Sequence, residues 1–378
     1  GSSVRYRKHN SGLIESDGDI IINGGNIRAK GQDKASAIGE CGYDTVTQSP
    51  SSENRQCGSI TINGGIVRTE ALTRKTTTGS MGIGACQSGY GGSVTINGGT
   101  VMANATADAI CTGRGGSITI NGGDITARGG TGKYGNGNGI GSFNDADITI
   151  NSGNIEAYSD RNGCGIGFGM PTTVKITGGT IKAVSNAIAA IGSPKYNAGS
   201  VSITGGKVTA IGEGEAAGIG GSADVSITGG EIDVSVEGSG VAIGGNAGGS
   251  INIQGNAIKS ISSRSGACIG GSAKNITILD AELPFLGGEG ILISNRVSDD
   301  RGGNITIRNC RILSTDVVAV EGIQLGNNGN IQIENSEIML SRAKGIRTGD
   351  GGSIAIRDSQ LVTNGIYMVE GGMTQRKL

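Results

Sequence analysis

Short apolar–polar–apolar triplets recur along the chain, each followed by a polar, glycine-rich break. In Ile118-Thr119-Ile120 the isoleucines alternate with threonine, the period-two signature of a strand with one buried face. Asn121-Gly122-Gly123 follows, residue types that tolerate the left-handed backbone of a sharp bend. Asp124-Ile125-Thr126-Ala127 then alternates again, with Ile125 and Ala127 inward. After a variable loop comes a shorter apolar piece, Gly139-Ile140-Gly141, which returns as Gly165-Ile166-Gly167 and Gly218-Ile219-Gly220. Only small residues flank the inward isoleucine there, which predicts a third face lying close to the axis.

Thirteen copies of this unit can be aligned, starting at Ile20, Ile60, Val94, Ile118, Ile148, Val174, Val201, Val225, Ile251, Ile276, Ile305, Ile331 and Ile354. The first two intervals are 40 and 34 residues and the rest fall between 23 and 30. Such a period suits one coil of a β-solenoid and is short for helical repeats or propeller blades. A sandwich or barrel also shows many short strands, but would not rewrite one corner thirteen times. The expected class is all-β: a right-handed single-stranded parallel β-helix of about 13 coils with three short strands each. It should occupy residues 12–366, after an expression scar and leader at 1–11 and before a tail at 367–378. Corner chemistry drifts along it. Asn63, Asn97, Asn121 and Asn151 give way to Thr177, Thr204 and Thr228, and stacked side chains of these types can bond from coil to coil. Over 276–366 the corners are Leu279-Asp280-Ala281, Arg308-Asn309-Cys310, Glu334-Asn335-Ser336 and Arg357-Asp358-Ser359, a glycine-poor subtype of the same fold.

Composition agrees. Of 378 residues 74 are Gly, 4 are Pro and none is Trp, with 3% aromatics. Glycine at this level without a G-X-Y period excludes collagen, and the β-branched content excludes disorder. A net charge of −1 leaves no basic footprint for nucleic acid, and no apolar run is long enough to insert in a membrane.

Seven cysteines occur, at 41, 57, 86, 111, 164, 268 and 310. Cys41 and Cys57 bracket the longest insertion and are a candidate disulfide that would stabilise by about 3 kcal/mol through loop closure. Cys86 and Cys111 are an alternative pair. Cys164, Cys268 and Cys310 read as small buried hydrophobes. Without C-x-x-C or a histidine cluster, zinc is not expected.

His9 is the single histidine and lies in the leader, so histidine-based acid–base or nucleophilic schemes lack their central residue. Glycoside hydrolysis needs two carboxylates about 5–10 Å apart. Asp108, Asp145 and Asp160 are candidates, with Asp147 and the adjacent Asp299 and Asp300. As overhanging loop charges, all of them read first as solvated. Lyase chemistry would add a base such as Arg114, Arg161 or Lys195. The aromatics are more suggestive. Tyr43, Tyr90, Phe143, Phe168 and Tyr196 follow third strands, and Tyr134 precedes one. Sugar rings stack their C–H faces on such side chains while nearby polar groups bond the hydroxyls. A groove on this N-terminal loop edge is therefore expected to bind glycan through Tyr90, Tyr134, Phe143, Phe168, Tyr196, Arg114 and Arg161. The outward Thr61, Thr95, Thr119 and Thr149 dissolve into Lys175, Ser202 and Ser226 and read as a solvated face.

The repeated S-I-T-I-N-G-G grammar, as in Ser117 to Gly123, with its G-I-G third strand, resembles Gly-rich β-helix repeat proteins of clostridial and other gut Firmicutes surfaces. It is also similar to the clostridial carbohydrate-binding β-helix proteins. The resemblance implies an extracellular or cell-surface protein, part of a larger chain, that binds plant polysaccharide and uses calcium. None of that family's calcium ligands maps onto a numbered position here, so no cofactor is assigned from the residues themselves. Three functions remain open at this point. They are a glycan-binding rod, a glycoside hydrolase or polysaccharide lyase with paired carboxylates in the same groove, and a spacer or protein-binding adhesin.

Overall fold

The computed structural model of the chain describes residue 14 and residues 18–32, 36–39, 57–72, 80–84, 90–131, 137–141, 146–167, 172–194, 199–245, 249–285, 291–295, 303–314, 321–340, 345–363 and 366–368. These residues form strands and bends without helix, and they divide into two units, Gly1–Gly199 and Ser200–Leu378.

In the first unit the chain visits three parallel sheets in rotation. First strands run from Ile20–Ile22 through Ile60–Ile62, Ser93–Ile96, Gly116–Ile120 and Ala146–Ile150 to Thr172–Ile176, each beside the one before. Second strands run from Asn26–Gln32 to Thr180–Ser185 in the same manner. The third face begins as single bridges linking Ile14, Ile38, Ile83, Ile110 and Ile140, then widens into Cys164–Gly167 and Ala189–Ser193. Alternation explains the core. Ile62, Ile96, Ile120, Ile150 and Ile176 stack in register and are fully buried. Each contributes about 1.5–3 kcal/mol by leaving water. Thr61, Thr95, Thr119 and Thr149 stand in register on the other side and meet Lys175, the expected solvated ladder.

The second unit repeats the rotation from Ser200–Ile203 to Ile366–Met368 with one change. Its first three second strands, Lys207–Gly212, Glu231–Val236 and Ile258–Ser263, have the six-residue length usual in the first unit. The next four, Glu282–Pro284, Arg311–Ser314, Glu337–Leu340 and Gln360–Thr363, have three or four residues and form a separate sheet. Among the described residues the first unit therefore holds six regular turns and the second unit three, followed in the second unit by four of a shorter type, where about 13 coils of one three-strand plan were expected.

Corner chemistry accounts for the change. A regular corner such as Asn121-Gly122-Gly123 puts three residues between strands, and Gly123 takes the left-handed backbone at φ 102°. In the shorter type two residues suffice, Asn309-Cys310 for instance, and the left-handed position passes to Asp280, Asn309, Asn335 and Asp358 at φ 46–54°. Asn and Asp are the non-glycine residues that best tolerate that region. Their side chains also bond between turns. Asn309 Nδ2 donates to Asp280 Oδ1 at 2.8 Å, and Asn335 Nδ2 to Asn309 Oδ1 at 2.9 Å.

The first-unit corners carry a longer ladder than the sequence suggested. Asn63 donates to Asn23 at 2.8 Å, Asn97 to Asn63 at 2.7 Å, Asn121 to Asn97 at 2.8 Å and Asn151 to Asn121 at 2.8 Å. Thr177 extends it by donating to Asn151 at 3.0 Å. Asn97→Ala severs two of these exposed bonds and is expected to cost about 1 kcal/mol, with Asn97→Thr recovering part. Equal urea midpoints for Asn97→Ala and the parent chain would show that the ladder adds nothing.

Cys164, Cys268 and Cys310 are buried, as expected of small apolar side chains. Burial pushes the Cys268 thiol up to about 12 and the Cys310 thiol in the same direction, which leaves both poor nucleophiles. Cys41 and Cys86 lie outside the described residues, so neither pairing is placed.

Candidate functional site

The short third strand separates two bends, and the expected site residues are shared between them. Tyr90 and Arg114 stand at the bend that leads into the first strands Ser93–Ile96 and Gly116–Ile120. A parallel bridge joins them, and the backbone stack continues as Cys57 N donates to Tyr90 O and Gly91 N to Arg114 O. The Arg114 guanidinium lies 5.8 Å from the centre of the Tyr90 ring, within range of a cation–π contact. Tyr90 remains 36% exposed. An aromatic plate and a five-donor fork are thus presented side by side.

Asp108, Asp160 and Arg161 belong to the other bend, between second and third strands. Arg161 is exposed there and is not brought to Arg114. Asp160 meets Arg128 at 3.6 Å on the surface. Asp108 departs from its expected role as a solvated charge or groove acid, because it is only 3% exposed. Asn138 holds it, donating to Asp108 Oδ1 from its backbone N at 2.7 Å and from Nδ2 at 2.8 Å. Asn138 Oδ1 in turn accepts from Cys164 N at 2.8 Å. Burial pushes the Asp108 carboxyl up from 3.8 to about 7, against the opposing pull of the Asn138 hydrogen bonds. A perturbed carboxyl often marks an active site. This one is sealed under the turn above it and serves as a strut between turns.

Tyr43, Tyr134, Phe143, Phe168, Tyr196, Asp145, Lys195, Asp299, Asp300 and His9 lie outside the described residues. Among the described residues no group of three or more His, Cys, Asp or Glu could hold a metal ion.

A surface that the sequence reading missed lies on the outward side of the second strands. Alternation sends Arg28, Arg68, Met102, Thr126, Glu156 and Lys182 outward as one column, and Lys30, Glu70, Asn104, Arg128 and Tyr158 as the next. At one end Arg128 stacks 4.7 Å from the Tyr158 ring centre, and Lys182 approaches the same ring at 5.9 Å. Tyr158 Oη donates to Glu156 Oε2 at 2.9 Å. Partial burial, then the Glu156 carboxylate, pushes that phenol upward. At the other end the two columns wall a shallow groove of about 450 Å³ over the backbone of Ala29, Thr69 and Ala103. Reading every second residue of the second strands down the repeats would have found it. No protein family, curated protein or solved structure matches the chain.

Proposed function

We propose that this β-solenoid is a non-catalytic, extracellular polysaccharide-binding protein that meets its polymer at the bend carrying Tyr90. The observation that carries the reading is the exposed Tyr90 ring with the Arg114 guanidinium 5.8 Å from its centre, on adjacent turns. A pyranose presents an apolar C–H face and a rim of hydroxyls, and this pair offers a complement to each. Parallel turns about 4.8 Å apart set such complements in a line, as a polymer requires. The catalytic alternative draws less support, since Asp108 is enclosed and held by Asn138.

Electrophoresis of the full chain through gels cast with soluble polysaccharides, together with pull-downs on insoluble ones, tests the reading. Retardation in at least one gel is expected, with Tyr90→Ala weakening it about tenfold, equivalent to about 1.4 kcal/mol. Retention on no polysaccharide would overturn it. Release of reducing sugar, or absorbance from an unsaturated product, would replace it with the hydrolase or lyase alternative.

A further inference from the structure

We propose that the groove on the second sheet of the first unit is a separate binding surface for the anionic groups of an acidic polysaccharide. The proposal rests on the polysaccharide reading for its ligand class, and adds a second face and a charge requirement.

Arg28 and Arg68 carry it. They are direct partners on adjacent parallel strands, which sets their backbones about 4.8 Å apart. Like charges directly opposite one another repel. One column over, the same two strands solve the identical problem by placing Lys30 against Glu70, paired at 2.8 Å. Nothing equivalent is done for the arginines. Arg68 Nη1 reaches only the Asn26 amide oxygen, at 3.5 Å. Among the described residues neither guanidinium has a carboxylate within ion-pair distance. Two rigid forks with unused donors therefore point into solvent beside a groove, at a mutual repulsion that a bound anion would relieve.

The lining favours an acidic sugar over other polyanions. Arginine matches carboxylate and tetrahedral oxyanions bidentately, so a uronate or a sulfated sugar fits each fork, and the discrimination against phosphate comes from the rest of the lining. Past Arg68 the column continues as Met102, 41% exposed, and Thr126. That change from cation to apolar plate to hydroxyl suits a sugar ring better than a phosphate backbone, which asks for uninterrupted positive charge. Glu70 and Arg128 on the opposite wall are paired with Lys30 and Asp160, so Glu70 presents little net repulsion. Asn104 adds amide donors and acceptors for hydroxyls.

The test is affinity electrophoresis of the full chain in gels containing polygalacturonate, a sulfated glycosaminoglycan, a neutral glucan or polyphosphate. The parent chain should be retarded most in the two acidic polysaccharides. The double variant Arg28→Gln, Arg68→Gln should bind those at least tenfold more weakly, with a shallower salt dependence, while its migration in neutral glucan matches the parent. Arg28 is exposed and Arg68 half-buried on the outer face of the sheet, and relief of their repulsion should leave the double variant melting at or above the parent temperature at low salt. Undiminished retardation of the double variant would overturn the proposal, as would polyphosphate retarding the parent as strongly as either acidic polysaccharide. Retention in neutral glucan alone overturns this inference and leaves polysaccharide binding standing. Retention in none of the gels overturns both.

Discussion

From about pH 4 to pH 7 the protein is expected to lose up to about 4 kcal/mol of folding stability through one side chain, Asp108. The Asp108→Asn variant should not show this loss. The carboxyl is buried, and its value rises from 3.8 to about 7 in the fold. A carboxyl that gives up its proton near pH 7 in the fold and at 3.8 outside it differs by about 4 kcal/mol between its protonation states. The sign is the reverse of that for an ion-paired aspartate. Because the folded value lies above the unfolded one, the native state holds the proton longer. The stabilisation is complete below pH 3.8, drains away as pH rises through the interval, and is gone above pH 7. An asparagine at 108 keeps an acceptor for the two Asn138 donors and has nothing to titrate. Urea unfolding of both proteins at pH 4, 5.5, 7 and 8 measures the difference directly, since every other group is common to the pair. A stability gap between them that stays constant with pH would refute the account.

That carboxylate also marks where the sequence stops being readable. Ala107-Asp108-Ala109 sits in a variable segment that resembles any solvated loop. Its burial is decided by Asn138, thirty residues on, which arrives above it only because the chain has completed a turn. Arg28 and Arg68 pose the same difficulty, forty residues apart in sequence and side by side in the sheet. The Tyr90 bend and the Arg161 bend read as one loop edge because the intervening third strand is as short as Ile140–Gly141, two residues. What could be read were features written into every repeat. The Thr61, Thr95, Thr119 and Thr149 ladder follows from period two and a fixed turn. The change of turn type after Ile276 follows from the loss of the Gly-Gly corner, and the structure adds that Asp280 and Asn309 take over its left-handed position.

Three glycine-to-alanine substitutions in the first unit should separate what glycine does in this fold, with Gly167→Ala the most damaging. Gly167 ends the strand Cys164–Gly167 at φ 125°, and a β-carbon there would run into the carbonyl oxygen of Gly192 on the adjacent strand. Both partners are backbone in a buried sheet, so neither can turn aside. Left-handed strain of about 1–3 kcal/mol combines with overpacking of about 1–3 kcal/mol, a loss of about 4 kcal/mol. Gly25, at φ 93°, has the same backbone demand, but an added methyl there would meet nothing within 4 Å. Gly25→Ala should therefore show the strain alone, about 1–2 kcal/mol. Gly24 has neither the positive φ nor a neighbour within 4 Å. Alanine there restricts the unfolded chain at no native cost and should be neutral or stabilising by up to about 1 kcal/mol. Thermal or urea unfolding of the three variants should rank them Gly24→Ala, Gly25→Ala, Gly167→Ala from most to least stable. Equal losses for Gly25→Ala and Gly167→Ala would mean that backbone conformation alone, and not the close approach of turn to turn, makes glycine necessary on the third face.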